Sequence, residues 1–260
     1  MTEPAETHVE TRDLSVGYGG RAIMGGIDLA IRHGEIFFIM GGSGSGKSTL
    51  LKTLLGLLPA VSGEIRYDGE PFREEDPAGR ARVLRDTGVL YQGGALFSSM
   101  NLLDNVALPL RIHAKLPDRE TKDLARFKLE LVGLGGSAEK YPHELSGGMV
   151  KRAGLARALA LDPRVLFFDE PSAGLDPITS RRLDETIAEL NESLGTTVII
   201  VSHELASIFS LARRAVFLDA RTRRQMEVGN PNLMKTESRN REVREFLSRG
   251  QPEGNGEAAR

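Results

Sequence analysis

The chain has 260 residues, with 34 Lys and Arg against 36 Asp and Glu for a formal net charge of −2, and no cysteine. That length suits one large α/β domain or two small ones. The balanced charge lacks the basic excess of a nucleic-acid surface, so no nucleic-acid partner is expected. Without cysteine there are no disulfides and no thiolate metal sites, and a reducing compartment is permitted.

The opening "MTEPAETHVE" is acidic and polar, with no charged-then-apolar secretion pattern. "HVETRDLSVGYGG" and "RAIMGGIDLAIRHGE" then alternate apolar and polar residues between glycines, as strands of a half-buried sheet do. "GEIFFIM" is apolar throughout, which predicts a strand covered on both faces. A glycine loop follows, and Thr49 to Leu58 reads as a leucine-rich helix. "GEIRYDGEPF" reads as a hairpin turning at Asp68-Gly69. "DTGVLYQ" is another buried strand, ending at Tyr91-Gln92.

From about Leu103 to Leu134 the pattern turns helical, with Leu124, Phe127, Leu131 and Leu134 on one face and Gly135-Gly136 as the stop. "DPRVLFFDE" is a third buried strand. "PITSRRLDETIAELNESLG" reads as a helix with Pro177 in its first turn and Leu183, Ile187, Leu190 and Leu194 as its inner stripe, closed by Gly195. "TTVIIVSH" is a fourth buried strand, followed by a helix through Ala212 and the strand "AVFLD". A short charged helix, "REVREFLSRG", precedes the polar tail of residues 249–260, which is expected to be disordered. The longest apolar runs are strand-length, far short of the ~20 residues that span a bilayer. Any membrane task therefore falls to other subunits.

Apolar strands alternating with helices predict an α/β fold: a mainly parallel sheet flanked by helices, with an N-terminal antiparallel β layer and a helical insertion. In such sheets ligands bind at the carboxyl ends of the strands. There the sequence places "GGSGSGKST", Gly41 to Thr49. The glycines at 41, 42, 44 and 46, with Ser43 and Ser45, allow backbone N–H groups to point inward at phosphates. Lys47 would neutralise the β- and γ-phosphates, and Ser48 would hold Mg²⁺ with Thr49 beside it. Asp169, ending a buried strand, is costly unless it serves a cation. Glu170, one residue on, is suited to orient or deprotonate an attacking water. Gln92 and His203 each follow a buried strand and reach the same crevice, the amide suited to Mg²⁺ and the water, the imidazole to a developing phosphate charge. Tyr18 is suited either to stack on a base or to pack in the β layer.

A second anion grip stands a hundred residues later. Ser146 is a good helix cap, and Gly147 and Gly148 leave the first N–H groups bare. Since one loop already holds one nucleotide, a second grip makes sense if it closes over the nucleotide of another copy. Two chains facing head to tail would bury two nucleotides, with Asp176 on the shared face.

With "GGSGSGKST", "YQ", "LSGGM", "RVLFFDEPSAGLDP" and "VSH" in this order, residues 8 to about 230 resemble the ATP-binding subunit of ABC transporters. The resemblance implies a P-loop NTPase fold and an ATP-binding domain over 8–248, with a helical subdomain at about 93–160. It implies ATP and Mg²⁺ as ligands, and a homodimer that closes on ATP. The roles it implies are Tyr18 for adenine stacking, Gly41–Thr49 as Walker A, and Gln92 as the loop glutamine that, besides serving the metal, senses the membrane partner. Ser146, Gly147 and Gly148 become contacts to the opposite γ-phosphate. Asp169 and Glu170 become the Walker B metal acid and general base, Asp176 the D-loop acid, and His203 the switch histidine.

Met149 departs from the usual signature, which ends in glutamine. Together with "GGALFSSMNLLDNVALPLR" (Gly93 to Arg111) and the ending "REVREFLSRG", it is similar to the ATPases of MCE-type lipid transporters, such as the maintenance-of-lipid-asymmetry systems. That likeness implies transmembrane permease subunits, an MCE-domain periplasmic protein, a STAS-domain protein, and a place on the cytoplasmic face of the bacterial inner membrane. Leu96, Phe97, Leu102 and Leu103 would meet the permease, though half of them also suit a subdomain core. The motor residues equally suit an importer of amino acids or another small solute. A soluble ABC ATPase of DNA or ribosomes would show tandem units, a long coiled coil or basic stretches. A small-molecule kinase would leave Ser146, Asp176 and His203 unexplained.

Overall fold

The computed structural model describes residues 6–73 and 75–249. Among these, ten strands join in one sheet. Its parallel half comprises β3 (Ile36–Gly41), β6 (Thr87–Leu90), β7 (Val165–Asp169), β8 (Thr197–Val201) and β9 (Arg214–Asp219), in spatial order β9-β3-β8-β7-β6. The antiparallel half comprises β1 (Thr7–Tyr18), β2 (Arg21–Arg32), β4 (Ala60–Tyr67) and the short β5 (Glu70–Pro71). The hinge between them is β10 (Arg224–Gly229), antiparallel to β9 and touching β2 through one pair, Arg224 with Gly25.

The unbroken apolar strands are explained by two cores, one on each face. In β3, Phe37 and Ile39 point to one side and Phe38 and Met40 to the other, and β7 and β8 divide their residues the same way. One core lies between the parallel strands and the antiparallel layer. It encloses α1 (Lys47–Leu54) through Leu50, Leu51 and Leu54. The other is covered by α3 (Leu102–His113), α4 (Asp118–Leu131), α5 (Gly147–Ala158) and α6 (Pro177–Leu194). With four phenylalanines fully buried in β3 and β7, and each large side chain worth about 1.5–3 kcal/mol on burial, this sandwich fixes the strand ends firmly.

The hairpin turns at Asp68-Gly69, both at positive φ, as the sequence predicts. Elsewhere the structure corrects the reading. The helix at Leu103–Leu134 is two, broken at Ala114–Pro117. On α4 the buried residues are Thr121, Ala125, Lys128 and Leu129, and Phe127 is 50 % exposed. Of the expected stripe, Leu134 is buried and Leu124 and Leu131 pack against the core, so Phe127 is the member that turns out, and buried Lys128 reaches Asp162. Leu194 is exposed because α6 ends there, capped by Gly195, while Asn191 turns inward to bond the Gly34 and Thr196 carbonyls. Leu102 and Leu103 are core residues, which leaves Phe97 as the exposed member of that group. The helix after the glycine loop starts at Lys47 rather than Thr49 and ends at Leu54.

Three elements were not expected: α2 (Pro77–Arg85), β10 and α8 (Pro231–Glu237). α7 (Leu205–Leu211) and α9 (Arg241–Ser248) match the helices read from the sequence. Of the tail, Arg249 caps α9, and residues 250–260 lie outside the described residues.

A candidate nucleotide cleft at the carboxyl ends of the strands

Strand register builds the site. Ile39 of β3 and Asp169 of β7 both pair with Val201 of β8, so the segments after these strands leave the sheet side by side. They carry the glycine loop, Glu170 and His203, and β6, next to β7, delivers Gln92. These residues line one cleft of about 720 Å³.

The loop is shaped by contact as much as by flexibility. A Cβ on Gly41 would lie 2.3 Å from the Leu218 carbonyl and 2.7 Å from Ser45 Oγ, so no other residue fits against β9 there. The residue that caps helix α1 is Gly46, in the left-handed region at φ 80, with no side chain capping the helix. The backbone N–H groups of Gly44, Gly46, Lys47 and Ser48 have no acceptor among the described residues. Buried Ser45 Oγ has none either. A ring of donors on the positive end of a helix is an anion cradle. Lys47 folds over it, its Nζ donating to the carbonyls of Gly41 and Gly42 at 2.9 Å each. Burial holds the Lys47 ammonium below the usual lysine range, while Glu170 and Asp169 pull it back up.

Ser48 Oγ donates to Asp169 Oδ1 at 3.2 Å, so hydroxyl and carboxylate already converge as a divalent-cation site requires. Glu170 sits at φ 47, a conformation costing about 1 kcal/mol or more in a non-glycine residue. Its N–H donates to the Val201 carbonyl, and its Oε1 accepts from His203 Nδ1 at 2.7 Å. Its other oxygen, Oε2, is buried and without a partner. A strained, oriented carboxylate with one bare oxygen is equipped to take a hydrogen bond from water. Tyr18 stands at the rim, 53 % exposed, its hydroxyl 3.3 Å from Thr49 Oγ1. Gln92 is exposed, and its carbonyl accepts from Lys151 Nζ.

Ser146, Gly148 and Asp176 are not in this cleft. Ser146 caps α5, accepting from Met149 N at 3.4 Å, and the N–H groups of Gly147 and Gly148 have no acceptor among the described residues. Ser146 and Gly148 instead border a separate hollow of about 200 Å³ with Arg152 and Arg182. Asp176, expected on the face shared by two copies, caps α6 with its carboxylate, accepting from Ile178 N and Thr179 N. The Thr179 hydroxyl first, and then the N–H groups of Thr179 and Ile178, hold it below the usual carboxylate range.

Three contributors escaped the sequence reading. Lys151 is one of three cations on α5, and only the fold shows it bracing the backbone carbonyl of Gln92. Phe246 and Arg249 complete the cleft wall from the far end of the chain. No local motif announces them.

A glycine loop on a buried strand, a lysine within it, and a serine and aspartate converging below it define a P-loop nucleotide-binding protein. The family model for the ABC transporter matches residues 24–173. The chain is 44 % identical, over 84 % of its length and 81 % of the relative's, to the intermembrane phospholipid transport system ATP-binding protein MlaF of Escherichia coli K12. It is 42 % identical over 81 % of its length to the MlaF of Haemophilus influenzae, of which it covers 80 %. It is also 44 % identical over 78 % of its length to the probable ribonucleotide transport ATP-binding protein mkl of Mycobacterium leprae, of which it covers 58 %. Among solved structures it superposes with a TM-score of 0.81 and 28 % identity on cbiO1 of Clostridium perfringens, part of the ABC transporter complex cbiONQ. The match covers 94 % of this chain and 95 % of that one. A dimeric ATP-binding cassette in a post-hydrolysis state, bound to ADP and Pi, matches with a TM-score of 0.76 and 28 % identity, over 85 % of this chain and 98 % of that one. The chain belongs to the ABC transporter family, as an ATP-binding and ATP-hydrolysing subunit.

Proposed function

We propose that this subunit powers the movement of phospholipid between bacterial membranes, working as a homodimer on the cytoplasmic face of the inner membrane. The observation that carries the motor is the geometry at Glu170: a strained carboxylate, fixed by His203 at 2.7 Å, with a buried oxygen left bare. Glu170 is then the general base that orients water, and His203 holds it and meets the charge developing on the phosphate. Lys47 and the loop N–H groups bind the β- and γ-phosphates. Tyr18 takes the adenine face at the rim. Ser48, Asp169 and Gln92 would hold Mg²⁺, which when bound draws charge from the phosphate oxygens.

None of Ser146, Gly147, Gly148 and Asp176 lines its own chain's cleft, and Ser146 and Gly148 border a separate hollow. This supports a head-to-tail pair in which each copy lids the other's nucleotide. ATP then joins the two copies and hydrolysis parts them, a ligand-driven switch. Among the described residues no helix is long and apolar enough to cross a membrane, which fits a subunit working beneath a permease. Phe97, 51 % exposed, is the residue of the 93–111 segment best presented to it. The lipid cargo, and with it MCE- and STAS-domain partners, follows the likeness to the MlaF proteins. The small-solute reading keeps one support, the equal identity to the mycobacterial ribonucleotide transport relative.

Replacing Glu170 with Gln tests the motor. ATP binding is retained, a stable dimer accumulates, and hydrolysis falls by roughly 10³-fold; a normal rate removes Glu170 as the base. Purifying the intact complex from membranes tests the cargo. Co-purified permease, MCE protein and phospholipid support the proposal, and a periplasmic solute receptor overturns it.

A further inference from the structure

Helix α9 returns from the end of the chain to the cleft. Val243, Phe246 and Leu247 anchor it in the core, and the Phe246 ring lies 5.2 Å from that of Phe217 on β9, the strand beside β3. One turn beyond the anchor, Arg249 closes the helix with its guanidinium 5.8 Å over the Phe246 ring. Both residues line the cleft together with the glycine loop, Glu170 and His203.

The neighbouring arginines are committed elsewhere. Arg221 pairs with Glu242, Arg241 with Glu245 at 2.6 Å, and Arg244 donates to the Ser238 carbonyl. Arg249 has no such partner among the described residues. Its place over an aromatic face restrains the planar fork, which reduces the entropy lost on binding. Charge points the same way. The carboxylates at the site are Asp169 and Glu170, balanced by Lys47 and by Lys151, which acts on Glu170 from beside Gln92. Arg249 is therefore the charge that turns the cleft net positive, the sign that suits a polyphosphate.

We infer that Arg249 is a second cationic contact for the phosphates of the nucleotide, delivered within the same chain by the C-terminal helix. The inference rests on the nucleotide reading of the cleft. It gives the last helix a share in binding that the motifs of the first two hundred residues do not disclose.

The test is calorimetric titration of the purified full chain with ATP, alongside thermal midpoints, for the wild type, Arg249→Gln and Arg249→Lys. Arg249 is exposed at a helix end, so the midpoints should stay together. Loss of one charge-assisted contact weakens ATP binding about tenfold in Arg249→Gln. Arg249→Lys, which keeps the charge but loses the planar fork over Phe246, falls between the wild type and Arg249→Gln. The deficit of the Gln variant shrinks as salt is raised. ATP affinity in Arg249→Gln equal to wild type, or a Lys variant as weak as the Gln variant, overturns the assignment. A wild-type chain that binds no ATP overturns the nucleotide reading as well, so the two failures are distinguishable.

Discussion

The chain begins two helices with glycine and serine, and finishes them in opposite ways. At α1 the cap position is Gly46, no side chain satisfies the first turn, and Lys47 folds back over the open donors. At α5 the cap is Ser146, whose hydroxyl takes Met149 N, and Gly148 is pressed against α6 so closely that a Cβ would sit 2.3 Å from Thr179 Cγ2. Glycine at α1 exposes backbone to a ligand; at α5 one glycine lets two helices touch. The surroundings decide which. The α1 start faces the aligned carboxyl ends of parallel strands, beside Asp169 and Glu170. The α5 start opens on the outer surface near Arg152 and Arg182, where a second molecule can reach it. A complete grip and a half grip on one chain are what a shared site needs.

The strongest way to break this comparison is to remove the charge from the complete grip. Lys47→Ala deletes the ammonium and releases the Gly41 and Gly42 carbonyls it holds. ATP affinity of the isolated chain should fall by roughly a hundredfold or more, measured by equilibrium titration. Ser146→Ala should leave that affinity within about twofold of wild type while lowering turnover roughly a hundredfold at concentrations where dimers form, as loss of one transition-state donor does. If both variants weaken ATP binding in the monomer alike, the two helix starts serve one pocket and the half-grip idea fails.

Legibility in the sequence follows the same division between local and distant causes. Strands β3, β7 and β8 could be read because each is covered on both faces and is an apolar run up to the cleft, broken only by Thr197 at the start of β8. The glycine loop, Asp169, Glu170 and His203 could be read because each sits at the end of such a strand. What failed was set by partners far along the chain. Phe127 fits a helical stripe, yet α4 buries Thr121 and Lys128 instead, since Lys128 finds Asp162. Leu102 and Leu103 have the apolarity of a docking surface and also that of a core, and packing chose the core. β10, with no fully buried residue, has no apolar run to announce it. The helix at 241–248 was visible, but its seat against Phe217 was not.

A subtler perturbation separates packing from ligand contact at α5. Gly148→Ala drives a methyl into Thr179 and should destabilise the fold by about 1–3 kcal/mol, read from denaturant unfolding. Thr179→Ser removes the clashing methyl while keeping the hydroxyl, so the double variant should recover most of the loss. No recovery would mean that Gly148 is required for its backbone and not for the space.

The smallest expected effect is the most discriminating. The Ser146 cap bond is long at 3.4 Å and exposed, so Ser146→Ala should cost only about 0.5 kcal/mol of stability, the low end for a lost cap. Set beside a roughly hundredfold loss of turnover, worth about 2.7 kcal/mol in transition-state stabilisation, that small cost cannot account for the defect. The hydroxyl must then act on something outside its own helix. Mixed dimers sharpen the point. One Ser146→Ala protomer paired with one Lys47→Ala protomer leaves a single intact composite site or none, according to which faces pair. In a head-to-tail pair, the site formed by the Ser146→Ala copy's loop and the Lys47→Ala copy's helix start is whole, and the mixture should recover about half the wild-type turnover per mixed dimer. Mixing that restores nothing would place both groups in one protomer's pocket.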